Sequence, residues 1–276
     1  MDPDRRRAFI RHWIPQGLRD FYNLASGRAI RYRGVYPDWA AAVKAARGYG
    51  EPALIERLAA AASSVQRGEA AWEQDGVTHS RIPVDFPQLA CMAQVALAQE
   101  GQLSVLDFGG GLGSSYLQCR AHLKGLRKLR WSIIEQAELV QRGRDLFAAG
   151  ELSFYESLDV CLNAENPAVV LLCSVLQYLE NPHTFLDRLV AARPPYLLID
   201  RHPQSTGAEC ITLQVVPASI YQASYPSWLL DASFLEKALG PYYDLQLSWQ
   251  GKDPPIRGRG LGVRFTGSFW RRKEGI

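Results

Sequence analysis

The sequence predicts an α/β protein, with a seven-stranded, mostly parallel sheet over residues 101–276 preceded by a helical extension over residues 1–100. Three observations lead there. Apolar, strand-forming runs alternate with helical patterns from Ser104 onward, the signature of βαβ units. The first run, S-V-L-D-F from Ser104, reaches an acid and then meets glycines at 109, 110, 111 and 113 before small polar residues open a helix. The second run ends on another acid, Glu135, 22 residues beyond Gly113.

From the N-terminus, residues 1–47 carry ten Lys or Arg against four Asp, a basic front end hidden behind a formal net charge of +3. Phe9, Ile10, Trp13 and Ile14 recur at helical spacing beside Arg5, Arg6, Arg7 and Arg11. Such a helix can dock its aromatic stripe on the protein's own core or associate weakly with an anionic membrane surface; both readings stand. Pro37 and Asp38 precede an alanine-rich helix that ends near Gly48, the spacing of a helix entry. Leu54, Ile55 and Leu58 mark a second helix, stopped by Gly68, and a third runs from about Phe86 to Gln99 and abuts the first strand. The extension is expected to cap the ligand cleft.

The expected strands are Ser104–Asp107, Arg130–Glu135, Leu152–Tyr155, Val169–Cys173, Tyr196–Asp200, Tyr243–Trp249 and Gly262–Trp270. A Gly, Pro and Arg-rich loop, Gly251 to Gly260, joins the last two. Ten residues suit a hairpin rather than a crossover, so the final strand should run antiparallel.

The turn after the first strand reads D-x-G-x-G-x-G, with Asp107, Gly109, Gly110, Gly111 and Gly113 as candidate ligand-binding residues. Glycine is needed where φ is positive or where a ligand approaches the backbone so closely that a Cβ would collide. Helix N–H groups behind such a turn hold an anionic or carboxylate-bearing group. A dinucleotide fingerprint would need a glycine at 114, where Ser114 stands. The pattern instead resembles the first motif of class I S-adenosylmethionine (SAM) methyltransferases, whose loop wraps the methionine end of the cofactor. Glu135, at its strand end, suits bidentate hydrogen bonding to two ribose hydroxyls, and Gln136 would flank the adenine.

In open α/β sheets, ligands bind outside the carboxyl ends of the strands. The fourth strand ends in C-S-V-L-Q-Y, which puts Ser174 on the cofactor side and Gln177 on the substrate side of that crevice. Gln177 can orient a group but cannot act as a base at neutral pH. The fifth strand ends in I-D-R-H-P, where Asp200 and His202 are the catalytic candidates, the imidazole as general base. Its bland alternative is a local hydrogen bond ahead of Pro203. In the segment 211–228, Tyr221, Tyr225 and Trp228 either stack on a flat acceptor such as a sugar ring or fill the core.

Composition narrows the field. No run of about 18 apolar residues is present, so no membrane span is expected. No basic stripe interleaved with exposed aromatics argues for nucleic acid. The five cysteines are odd in number and widely spaced, without C-x-x-C or paired histidines, and read as reduced thiols with no metal site. The N-terminus lacks a continuous apolar core and a cleavage site, so a cytoplasmic location is expected.

Six stretches, R-G-V-Y-P-D-W, V-L-D-F-G-G-G-L-G-S-S-Y, W-S-I-I-E-Q, S-V-L-Q-Y-L, I-D-R-H-P and V-P-A-S-I-Y-Q-A-S-Y-P-S-W, lie in order over residues 33–228. Together they make the chain resemble a family of SAM-dependent methyltransferases often encoded among surface-polysaccharide genes. The resemblance implies the class I methyltransferase fold, Rossmann-like, with SAM at Asp107, the glycines and Glu135. The resemblance supplies no acceptor; the expected activity is in-line methyl transfer to an acceptor oxygen or nitrogen, first a hydroxyl of a sugar or glycan-related compound and then a small metabolite. Two other classes compete with it: a nicotinamide-dependent oxidoreductase, disfavoured by Asp107 and Ser114, and a non-catalytic partner protein on a methyltransferase scaffold.

Overall fold

Four successive apolar residues, Val169 to Leu172, are all buried, which a strand achieves only when both faces of its sheet are covered. The computed structural model of the protein describes residues 30–47, 52–74, 76–147, 150–205, 207–217, 223–253, 256–258 and 261–275. The chain divides into a small unit, residues 1–49 with 210–227, and a large unit, residues 50–209 with 228–276.

The large unit contains all seven expected strands: β1 (Gln102–Phe108), β2 (Lys128–Ile134), β3 (Leu152–Tyr155), β4 (Val169–Cys173), β5 (Tyr196–Ser205), β6 (Tyr243–Gln250) and β7 (Leu261–Arg272). Their order is β3-β2-β1-β4-β5-β7-β6. The first five run parallel, while β7 is antiparallel to both β5 and β6. The expected hairpin and antiparallel last strand are present. The topology reverses between β1 and β4, so the ends of these strands border the crevice where such sheets bind ligands.

Side-chain alternation sends successive residues to opposite faces, and each face has its own helices. On one face Leu103 and Val105 of β1, Trp131 and Ile133 of β2, and Val169 and Leu171 of β4 pack with α1 (Pro52–Gln66), α2 (Phe86–Ala98), α3 (Ser114–Arg120) and α4 (Ala137–Leu146). On the other, Leu106, Ile134, Val170 and Leu172 pack with α5 (Leu158–Glu165), α6 (Pro182–Ala192) and α7 (Phe234–Leu239). Leu171 and Leu186 are among the largest fully buried side chains, one on each side.

The first hundred residues differ from the expected helical extension. α2 contributes Cys91, Met92 and Val95 to the core of the large unit, so it is part of the sheet's cover rather than of a separate cap. A hairpin, Trp72–Gln74 with Val77–His79, also lies in this stretch. The apolar spacing of α2 marked a helix correctly, but spacing alone does not say which face of which body it covers.

In the small unit, strand Arg31–Tyr36 pairs antiparallel with Cys210–Val216. Helix Trp39–Ala45 comes next in the chain, its N-terminus capped by Asp38, whose carboxylate accepts from the Ala41 N–H at 2.7 Å. The basic helix expected around Phe9 to Ile14 lies outside the described residues. Among the described residues no helix is long and apolar enough to cross a membrane.

Candidate active site

The loop after β1 is shaped by its glycines. Gly109, Gly111 and Gly113 all take positive φ, +72°, +60° and +98°, a region L side chains rarely enter. A Cβ on Gly110 would stand 2.6 Å from Asp107 Cγ, and one on Gly109 2.6 Å from Val175 Cγ2, so both positions are closed by packing. A Cβ on Gly111 would meet nothing within 4 Å. Gly111 is the point where the turn opens to space.

Glu135, just beyond β2, faces that opening. Its Oε1 accepts from the Gly111 N–H at 3.1 Å and its Oε2 from the Gln136 N–H at 3.0 Å. Burial pushes its carboxyl upward against those two bonds. Gln136 is exposed at the start of α4. Asp107 is 1% exposed and lies under the turn. Its Oδ2 accepts from Trp131 Nε1 at 3.0 Å, while Oδ1 has no hydrogen-bond partner among the described residues. Burial raises its carboxyl to about 7, opposed by the Trp131 bond and reinforced by the charge of Glu135.

On β4 the chain turns at Ser174, φ +55°, whose N–H donates to the Asp200 carbonyl at 2.9 Å. Its hydroxyl accepts from Gln177 Nε2 at 2.9 Å. Gln177 is buried, and its Oε1 is a second acceptor without a partner among the described residues. Asp107 Oδ1 and Gln177 Oε1 are therefore two buried acceptors that a bound donor would satisfy. An ammonium and ribose-bearing ligand such as SAM fits this donor-poor set, with the open backbone at Gly111 as its cradle.

The two catalytic candidates part company. Strand β5 does not end at Asp200 but continues to Ser205, paired along its length with β7. The register advances by three residues on β5, Ile199 to His202, for two on β7, Ser268 to Thr266, and Arg201 takes φ +50°. That extra residue is a β-bulge, which re-aims the side chains beyond it. Asp200 Oδ1 accepts from Trp249 Nε1 at 3.0 Å, whereas His202 stacks on Phe234 of α7, ring centroids 6.2 Å apart. Trp249 and Phe234 belong to the cores on opposite faces. His202 is 2% exposed, neither ring nitrogen has a partner among the described residues, and burial lowers its pKa to about 4. A general base must reach the proton that it takes. The expected general base is thus a core imidazole.

Asp200 is equally buried but lies on the opposite face, beside Trp249. It is 2% exposed, and its carboxyl is raised first by burial and next by Asp85, with Arg201 opposing. Asp85 caps α2 and pairs with Lys252 at 2.9 Å; Arg201 pairs with Asp253 at 2.9 Å. The loop after β6 is therefore tied to both of the residues whose charges act on this carboxylate.

Of the expected aromatic wall, Tyr221 lies outside the described residues. Tyr225 is buried in the small unit, its hydroxyl accepting from Gln214 Nε2 at 3.0 Å. Trp228, in the large unit, is half-buried and donates to the Glu180 carbonyl at 3.2 Å.

Sequence reading missed the hairpin at residues 72–79. Trp72 Nε1 donates to the Ser114 carbonyl at 2.9 Å, and the Ser114 hydroxyl donates to Glu73, a buried carboxylate that also accepts from the Gly76 N–H at 3.3 Å. Trp131, under Asp107, was missed too. An indole N–H inside a strand run, 24 residues from an acid that needs a donor, was the available signal.

This strand order, with its antiparallel last strand and glycine turn beside an acid-ended second strand, is the class I methyltransferase fold. Comparison with protein-family models finds no match, and comparison with curated proteins finds none either. Among solved structures, the chain is similar to the Burkholderia thailandensis 1,6-didemethyltoxoflavin-N1-methyltransferase bound to 1,6-didemethyltoxoflavin and S-adenosylhomocysteine, at 16% identity over 83% of this chain and 93% of that one, TM-score 0.45. It is also similar to the N-terminal domain of EvdMO1 with S-adenosylhomocysteine and D-fucose, at 14% identity over 76% and 97%, TM-score 0.48. A third is the magnesium protoporphyrin IX methyltransferase of Synechocystis with bound SAM, at 15% identity over 77% and 96%, TM-score 0.39. These are distant likenesses, and the functional reading rests on the geometry of the glycine turn and its acids.

Proposed function

We propose that the protein is a SAM-dependent methyltransferase acting on a small-molecule acceptor, by preference a hydroxyl of a sugar or glycan-related compound. The observation that supports it most is the meeting of Gly111 and Glu135: an acceptor-only carboxylate one hydrogen bond from the single open point of the glycine turn. Glu135 would hold the ribose hydroxyls, and Asp107 Oδ1 would accept from the ammonium of the methionine part. When bound, SAM supplies a methyl group on a sulfonium ion, which is transferred in one displacement to the acceptor.

The rest of the work falls to the chain's own residues. Holding two reacting atoms at a near-attack distance of about 3 to 3.5 Å supplies much of such a rate. A hydroxyl acceptor also needs its proton removed, and Asp200 is the group we assign to this, because its backbone carbonyl accepts from the Ser174 N–H at the ends of the strands that border the crevice. Gln177, fixed by Ser174, would orient the acceptor. The preference for a sugar rests on the surface-polysaccharide setting of the family that the sequence resembles, which itself names no acceptor.

Thermal unfolding with SAM, S-adenosylhomocysteine or NAD tests the reading. A ligand at a hundred times its Kd stabilises by about 2.7 kcal/mol, so SAM and S-adenosylhomocysteine should each raise the melting temperature by several degrees and NAD should not. Stabilisation by NAD alone would overturn the proposal.

A further inference from the structure

At period two, Arg33 and Tyr36 would leave their strand on opposite faces. They do not, because the register advances by three residues from Arg33 to Tyr36 while the partner strand advances by two, Leu213 to Ile211. Gly34, φ +75°, sits inside that bulge, as such an irregularity demands. Arg33 and Tyr36 thereby line one pocket of about 460 Å³ in the small unit, with Arg47, Leu213, Val215 and Ala223 among its other walls. Arg47 is anchored through its backbone: it exchanges hydrogen bonds with Ser224 at 3.2 and 2.6 Å, and its N–H also donates to Ser224 Oγ at 3.0 Å.

The charge of this unit is one-sided. Its described residues include Arg31, Arg33, Lys44 and Arg47 against Asp38 alone, and Asp38 is engaged as a helix cap. Arg33 and Arg47 are both exposed, and neither pairs with a carboxylate among the described residues. Two guanidinium forks, each matched to a pair of oxygens, exceed what one carboxylate offers. A phosphate or pyrophosphate has oxygens for both. A pocket of this size is in the range of small-ligand sites, which typically combine apolar walls with a few placed polar groups.

We propose that this pocket is a binding site for a phosphate-bearing small molecule, with Arg33 and Arg47 on the phosphate oxygens and Leu213, Val215 and Ala223 against its body. The inference goes beyond methyl transfer and stands or falls without it.

The test is calorimetric titration of the full chain with inorganic pyrophosphate, with uridine diphosphate, and with citrate as a carboxylate control, all with S-adenosylhomocysteine present to occupy any adenosine site. Saturable binding of pyrophosphate and uridine diphosphate is expected, weakened at least tenfold by Arg33→Ala or Arg47→Ala and lost in the double variant. Arg33→Lys should keep part of the affinity, since it keeps the charge and loses the fork. Absence of saturable pyrophosphate binding, citrate binding as tightly, or full binding by the double variant would each overturn the proposal. Both side chains are exposed, so the substitutions should leave the circular dichroism spectrum unchanged. If the double variant nevertheless unfolds, the two single variants decide, and undiminished binding by both overturns the proposal.

Discussion

The N–H of Gly111 donates to Glu135 Oε1 at 3.1 Å, tying the turn after β1 to the residue that closes β2. Glu135→Ala removes that tie and the carboxylate assigned to the ribose. A hydrogen bond to a charged group contributes roughly 1.5 to 3 kcal/mol, so S-adenosylhomocysteine affinity should fall tenfold or more, with the fold retained by circular dichroism. Unchanged affinity in calorimetry would remove Glu135 from the site.

Gly110 should not accept a side chain. A Cβ at Gly110 collides with Asp107 Cγ at 2.6 Å, and overpacking of this kind costs about 1 to 3 kcal/mol. Gly110→Ala should therefore lower the melting temperature of the ligand-free protein by several degrees. A melting temperature equal to that of the unsubstituted protein would show that Asp107 can yield, and that the turn is softer than its packing implies.

Much of this architecture was legible because the governing residues are local. The seven strands could be read from apolar runs, and the antiparallel last strand from a loop too short for a crossover. The glycine turn and Glu135 were legible by spacing. His202 was misread because its orientation depends on a bulge at Arg201, set by pairing with β7 some 60 residues later. The two readings of Tyr225 stayed open for a similar reason: an aromatic looks the same in sequence whether its hydroxyl is exposed or bonded to Gln214. The Trp72–His79 hairpin, three residues a side, was too short to show a period.

Asp107 and His202 pull the pH dependence of stability in opposite directions. The folded-state pKa of Asp107, about 7, lies above an ordinary carboxyl near 3.9. The folded state thus holds its proton longer, and stability is lost as pH rises from about 4 to 7. The folded-state pKa of His202, about 4, lies below an ordinary imidazole near 6.5, so stability is lost as pH falls from about 6.5 to 4, at up to about 1.4 kcal/mol per pH unit. His202→Leu should shrink the fall in melting temperature between pH 7 and pH 5, and Asp107→Asn should flatten the ligand-free decline between pH 4 and pH 7. An unchanged profile in either variant would contradict the assignment for that residue.

Turnover separates the two candidate bases of β5. With an acceptor in hand, Asp200→Asn should lower kcat by about 10²- to 10⁴-fold, the usual contribution of a positioned base, while SAM affinity stays close to its original value. His202→Leu should leave kcat within a few-fold, since its ring lies on the Phe234 side of the sheet. The reverse pattern would restore the imidazole as the base.

The most direct measurement is a calorimetric titration of S-adenosylhomocysteine into the unsubstituted protein and into Gly111→Val. At φ +60° the valine is strained, and its side chain points into the space where no atom lies within 4 Å of the added Cβ. One site per chain is expected in the first titration and none in the second, with the fold intact. No binding by the unsubstituted protein, or equal binding by both, would contradict it.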